Sequence, residues 1–152
     1  MTERSTEHAT FVIERSYTAA PARVFAAWAD PAQKARWFAG PDEWIEFHHD
    51  TDFRVGGHER LSAGPPGGTV HKFDCCYQDI VPDQRIIYSY DLHLDDTRIS
   101  VSLTTVEFKP DGSGTRLIFT EQGVFLDGTD SAATREQGTL GLFDKLEAAL
   151  RD

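Results

Sequence analysis

The sequence predicts an α+β fold: about seven antiparallel strands in a curved sheet that grips one long C-terminal helix, with two short helices after the first strand. Three observations predict it. Between residues 43 and 122, apolar and polar residues alternate in six segments of strand length, each bounded by turn signals. From Ser131 to Leu150 the period changes to that of a helix, with Leu142, Phe143, Leu146, Ala149 and Leu150 at three- and four-residue steps. The strands follow one another through short turns, and parallel pairs would need long crossovers.

Taken in order, residues 11–18 (FVIERSYT) form the first strand, and residues 1–10 are expected to be flexible. Pro21 suits a first helical turn and opens a helix over 21–29. Asp30-Pro31 breaks it, and a second helix runs over 31–38, ending before Gly40-Pro41. Strands are expected at 43–49, 52–58, 69–80, 84–94, 98–108 and 114–122. Gly56-Gly57 signals a bulge or a close backbone approach. SAGPPGG reads as a loop, and Pro82-Asp83 and KPDGSG as turns. Neither a repeat nor a linker interrupts the pattern, so residues 1–152 are read as one domain.

Alternation assigns His71, Phe73, Cys75 and Tyr77 to the face under the helix, with Ile86, Tyr88, Tyr90 and Leu92, then Ile99, Val101 and Leu103, then Leu117, Phe119 and Glu121. Lys72, Asp74, Gln78, Ser89, Asp91, Ser100, Ser102 and Thr104 fall on the other face. The long helix is uneven. Its second half carries bulky apolar residues, whereas its first half continues the same stripe as Arg135, Gly138 and Thr139. Gly138 and Gly141 each weaken a helix by roughly 1 kcal/mol relative to alanine. Small side chains cannot fill the space to the sheet, so a gap is expected there.

The residues expected around that gap are Trp37, His71, Phe73, Tyr88, Tyr90, Phe119, Glu121, Arg135, Thr139 and Phe143. The aromatic ones are read either as core or as walls for a ring-bearing ligand. Buried tyrosine hydroxyls need partners, which a ligand or water could supply. Glu121 and Arg135 form either an ion pair at the rim or an anchor for a ligand carboxylate or enolate, with Glu121 or His71 as proton acceptor.

Composition bounds the function. Hydrophobic residues make up 39% of the chain, as in folded domains, and a formal net charge of −10 argues against nucleic acid and anionic membranes as partners. No apolar run approaches the ~20 residues of a membrane span, and MTERSTEHAT is not a signal-peptide pattern, so a cytoplasmic protein is expected. Cys75 and Cys76 are neighbours on a strand, diverge, and are expected as two free thiols, Cys75 inward and Cys76 outward. His48, His49, Asp50, His58 and His71 lack the helical spacing that gathers ligands, so no metal is expected. Gly-x-Ser-x-Gly, P-loop and GxGxxG motifs are absent, and no catalytic residue or cofactor is assigned.

Five segments, APARVFAAWADPAQKARWF, DFRVGG, CYQDIVPDQRIIYSY, TRLIFTEQG and REQGTLGLFDKLEAAL, occur in the order seen in a known family. They resemble the SRPBCC (START-like, helix-grip) superfamily and, within it, the branch named for the activator of Hsp90 ATPase (AHSA1-like). The resemblance runs from about Phe11 to Leu150. It implies a START/Bet v 1-like β-α-α-β6-α order and a hydrophobic cavity between sheet and helix. Where the family often has Gly-Trp in the last helix, this chain has Gly138-Thr139, and one bulky wall is missing. The eukaryotic activator resembles the chain in one domain only, and nothing here matches the separate domain that engages the chaperone.

The leading expectation is a helix-grip domain that binds a hydrophobic or aromatic small molecule. The alternatives are a cyclase- or hydrolase-type enzyme using acid–base residues in the same cavity, or a chaperone-linked protein-interaction module. A homodimer is left open.

Overall fold

The long C-terminal helix lies across one face of a seven-stranded sheet in the computed structural model, which describes residues 3–151. The elements are β1 (Thr6–Tyr17), α1 (Pro21–Ala29), α2 (Pro31–Lys34), β2 (Ile45–Thr51), β3 (His58–Gly64), β4 (His71–Val81), β5 (Arg85–Leu94), β6 (Thr97–Asp111), β7 (Gly114–Leu126) and α3 (Ala132–Leu150). Strand order is β1-β7-β6-β5-β4-β3-β2, and every neighbouring pair is antiparallel. This is the α+β helix-grip arrangement.

Local chemistry sets the helix boundaries. Pro21 and Pro31 open α1 and α2, and the Asp30 carboxylate caps α2 by accepting from the Ala32 N–H at 3.0 Å. Ser131 caps α3, its hydroxyl accepting from the Thr134 N–H at 3.2 Å. Phe143 and Leu146, at 1% and 0% exposure, close the core against Trp28, Trp37 and Phe119.

Several boundaries differ from the sequence pattern. Residues 1 and 2, expected to be flexible, lie outside the described residues, but Thr6–Thr10 of the same segment pair with Gln122–Leu126. Thr6, Glu7, His8 and Thr10 are exposed and show no apolar alternation; backbone pairing at the sheet edge orders them. The helix expected over 31–38 ends at Lys34, after which Arg36 and Trp37 donate three residues back in a tightened turn. The strand expected at 52–58 lies at 58–64 instead. Residues 52–57 form the β2–β3 connection, with Gly56 at φ +83° and Gly57 so close to the Asp52 carbonyl that any side chain would collide with it.

The largest correction concerns β6. Ser100, Ser102, Thr104 and Val106 face inward, whereas Val101 and Leu103 are each 41% exposed. Leu92 pairs with Ser100 and His93 with Arg98, so Ile99 is an extra residue in the ladder. Both Ile99 (3%) and Ser100 (0%) are buried, and from that bulge onward the alternation is reversed.

The thiols face as expected, Cys75 buried and Cys76 exposed, and both are free. Burial pushes the Cys75 thiol up to about 12. A thiol reagent should therefore label one cysteine at once and the other only after unfolding; two fast thiols would contradict this packing. At Gly138 and Gly141 an added Cβ would meet nothing within 4 Å. Gly138→Ala and Gly141→Ala should each raise stability by roughly 0.5–1 kcal/mol in urea unfolding.

Candidate functional site

Between the first half of α3 and the sheet lies a cavity of about 720 Å3. Thr139 is its buried helical boundary, while Gly138 and Gly141 line it yet are exposed, which puts the opening beside them. Gly138 is thus at the rim rather than facing the sheet. Across the opening stand Ala39, Gly40, Pro41 and Trp44. Lys145 ties the two sides together, its Nζ donating to the Ala39 and Gly40 carbonyls at 3.2 and 3.0 Å.

All ten candidate residues line this cavity, nine of them in three groups, two of which share Tyr90. Trp37, Phe119 and Phe143 form its floor and belong equally to the core; Phe119 and Phe143 pack edge to face at 5.1 Å. Phe73, Tyr88 and Tyr90 form the sheet wall, with ring centroids of Phe73 and Tyr90 at 4.8 Å. His71 stands apart, its ring 4.5 Å from that of Trp44. Burial lowers the pKa of His71 from its usual value, with Asp95 partly opposing.

Glu121, Arg135, Tyr90 and Thr139 make the polar end. Arg135 Nη1 donates to the Tyr90 hydroxyl at 2.8 Å and reaches Glu121 Oε2 at 3.5 Å, while Nη2 donates to Ser100 Oγ at 2.7 Å and Asp130 Oδ2 at 2.9 Å. The Tyr90 hydroxyl donates in turn to the Glu121 carboxylate, 2.9 Å from either oxygen. Ser102 and Thr104 add longer contacts to Glu121 at 3.4 and 3.5 Å. The Thr139 hydroxyl donates to the Arg135 carbonyl at 2.9 Å. Burial raises the Glu121 pKa, with Arg135 and Tyr90 only partly opposing. Of the two readings of the charged pair, the structure has the ion pair, and it is enclosed in a network rather than exposed at the rim.

Comparison with known proteins agrees with this architecture. The family described as "Activator of Hsp90 ATPase homolog 1-like protein" matches residues 18–151. The chain belongs to that family. Among solved structures, a protein from Rhizobium leguminosarum is 50% identical, with 99% of each chain covered and a TM-score of 0.94. One from Rhizobium loti is 49% identical over 95% of this chain and 99% of its own, with a TM-score of 0.89. An AHSA1-like protein from Aeromonas hydrophila, 21% identical over 94% and 92%, shares the fold at a TM-score of 0.71. No curated protein matches. The AHSA1-like branch of SRPBCC is thereby established, and with it the fold. No helix among the described residues is long and apolar enough to cross a membrane.

Within this AHSA1-like domain a second polar cluster lies behind the cleft. Lys34 and Glu59, 3% and 0% exposed, form a buried ion pair; the Tyr77 hydroxyl donates to Glu59 at 2.7 Å and His49 Nε2 lies 2.7 Å from its other oxygen. Sequence reading passed over Lys34, Glu59, Asp130 and the three hydroxyls of β6. For Glu59 a signal existed, because alternation through HERLSAG sets it on the same face as Leu61 and Ala63.

Burial favours the neutral Glu59 acid, but Lys34, His49 and Tyr77 outweigh it and hold the pKa at about 2, below the usual 4.5. The unfolded state then takes up the proton first. Stability from this group is complete above pH 4.5 and is lost as pH falls through about 2. Glu121, raised rather than lowered, works in the opposite sense. Urea unfolding should show Glu59→Gln less stable than wild type at neutral pH, with an acid limb flatter by on the order of 3 kcal/mol. Parallel acid limbs would contradict the assignment.

Proposed function

We propose that this AHSA1-like domain binds a hydrophobic, ring-bearing small molecule in the cleft between α3 and the sheet. The observation that carries the reading is where the space lies: it opens where the α3 stripe turns from Phe143 and Leu146 to Thr139 and Arg135. Its volume of about 720 Å3 is in the range of small-molecule sites, and its walls are mostly aromatic and aliphatic with a few polar groups at one end.

Two features favour binding over catalysis. The Glu121 carboxylate, the nearest candidate base, already accepts from Tyr90 and is contacted by Arg135, Ser102 and Thr104. A general base needs a lone pair open to its substrate. His71 stands at the opposite side of the cleft by Trp44, six residues along β4 from Tyr77, the register partner of Tyr88. A protein-interaction reading would rest on Val101 and Leu103, turned outward by the bulge. Across β7 their register partners are Val124 and Gln122, with Thr10 of β1 beyond Gln122, so polar side chains break up the apolar patch.

Thr139→Trp tests the cleft. The indole would enter space already present, so the melting temperature should hold or rise, while binding of Nile red should be lost. In a packed core the same change costs about 1–3 kcal/mol. Destabilisation of that size with dye binding retained would refute the reading. Native mass spectrometry of freshly purified protein should also show a co-purified small molecule that is missing from the variant.

A further inference from the structure

One side chain of the cleft wall has unspent polar capacity. Tyr88 is 6% exposed, its ring is set among Phe73, Tyr77 and Tyr90, and its hydroxyl has no protein partner among the described residues. Its neighbours are all spoken for: Tyr90 bonds to Glu121 and Arg135, and Tyr77 to Glu59. The unpartnered Tyr17 hydroxyl and Trp28 indole N–H are sealed inside the core, but Tyr88 belongs to the cavity lining. Unlike those two enclosed atoms, the Tyr88 hydroxyl can be reached from the cleft, where an occupant is positioned to accept its hydrogen bond.

The charges around the cleft point the same way. Among its lining residues, Arg135 and Lys145 balance Glu121 and Asp130. Arg135 has both terminal nitrogens committed to protein oxygens, and Lys145 is held by two carbonyls at the mouth. Arg135 is thus shared between two carboxylates and Lys145 is drawn to the mouth, so an anion taken deep into this space would lose its hydration without a free counter-charge beside it.

Resting on the ligand-binding reading above, we propose that the occupant is an uncharged aromatic or polycyclic molecule carrying a carbonyl-type oxygen, which accepts a hydrogen bond from the Tyr88 hydroxyl. The ring system lies against Phe73 and Tyr90, and the oxygen points into the sheet wall. Carboxylated and sulfonated analogues of the same size are excluded. Burial keeps the phenol protonated, its pKa well above the ordinary value, so Tyr88 remains a donor. This departs from the carboxylate or enolate anchor considered from the sequence, because Arg135 is consumed by the protein itself.

Fluorescence titration with prodan, an uncharged naphthyl ketone, and with anionic anilinonaphthalene sulfonate provides the test. Wild type should bind prodan at least about tenfold more tightly than the sulfonate. Tyr88→Phe removes a hydroxyl with no protein partner, so its melting temperature should equal or exceed that of wild type. The variant should bind prodan roughly three- to tenfold more weakly, and the emission of bound dye should move to the blue as the carbonyl loses its hydrogen bond. Equal or tighter sulfonate binding, or a Tyr88→Phe variant with unchanged prodan emission, overturns this inference while the cleft stands. Prodan binding that survives in Thr139→Trp overturns the cleft reading and this one together.

Discussion

The first half of α3 is held to the sheet by a guanidinium, and the cavity depends on that choice of contact. Apolar side chains would draw helix and sheet together until their surfaces met, as Phe143 and Leu146 do further along. Arg135 reaches down instead, to Tyr90, Glu121 and Ser100 on the sheet and to Asp130 in the chain leading into the helix. A long side chain with directional bonds fixes a separation as well as an attachment. The space beside it then stays open without loss of register. Breaking such a buried pair by removing one partner generally costs about 3–5 kcal/mol, so the spacer is also a structural tie.

That tie requires a polar floor, and a single extra residue in β6 provides it. The bulge at Ile99 turns Ser100, Ser102 and Thr104 toward the helix, where their hydroxyls meet Arg135 and Glu121. Without it, Val101 and Leu103 would face inward and the carboxylate of Glu121 would have Tyr90 and Arg135 alone. The same residue explains an error of sequence reading. Alternation is a reliable guide to facing only while the ladder is regular, and the inserted residue exchanges the two faces of everything beyond it. In the linear pattern valine and leucine look like core and serine and threonine like surface. The exchange is encoded in pairing with β5, which no local window contains.

What was legible follows from the same distinction. The helix-grip order could be read because it rests on periodicity, prolines and turn residues, all of them local. The ten candidate residues could be named because nine of them lie on regular stretches of β4, β5, β7 and α3, and the tenth, Trp37, lies in the turn after α2. Lys34 and Glu59 were hidden for another reason. Each looks like an ordinary surface charge, and only their meeting across 25 residues of sequence makes burial tolerable.

The two buried clusters together bracket the cleft. Arg135 and its partners hold the helix end. Lys34 stands behind the aromatic wall, its Nζ 4.5 Å above the Phe38 ring and 6.0 Å from that of Tyr88, while Glu59 links it to Tyr77 and His49 on the sheet. Rings set between directional contacts have little further freedom to lose, which would lower the entropic cost of taking up the proposed ligand. The arrangement also explains why so little polarity faces the cavity in a chain of net charge −10. Arg135, Glu121 and Asp130 are turned on one another and keep the walls apart, and the surface that faces the cavity is mostly aromatic and aliphatic and open at the glycines of α3.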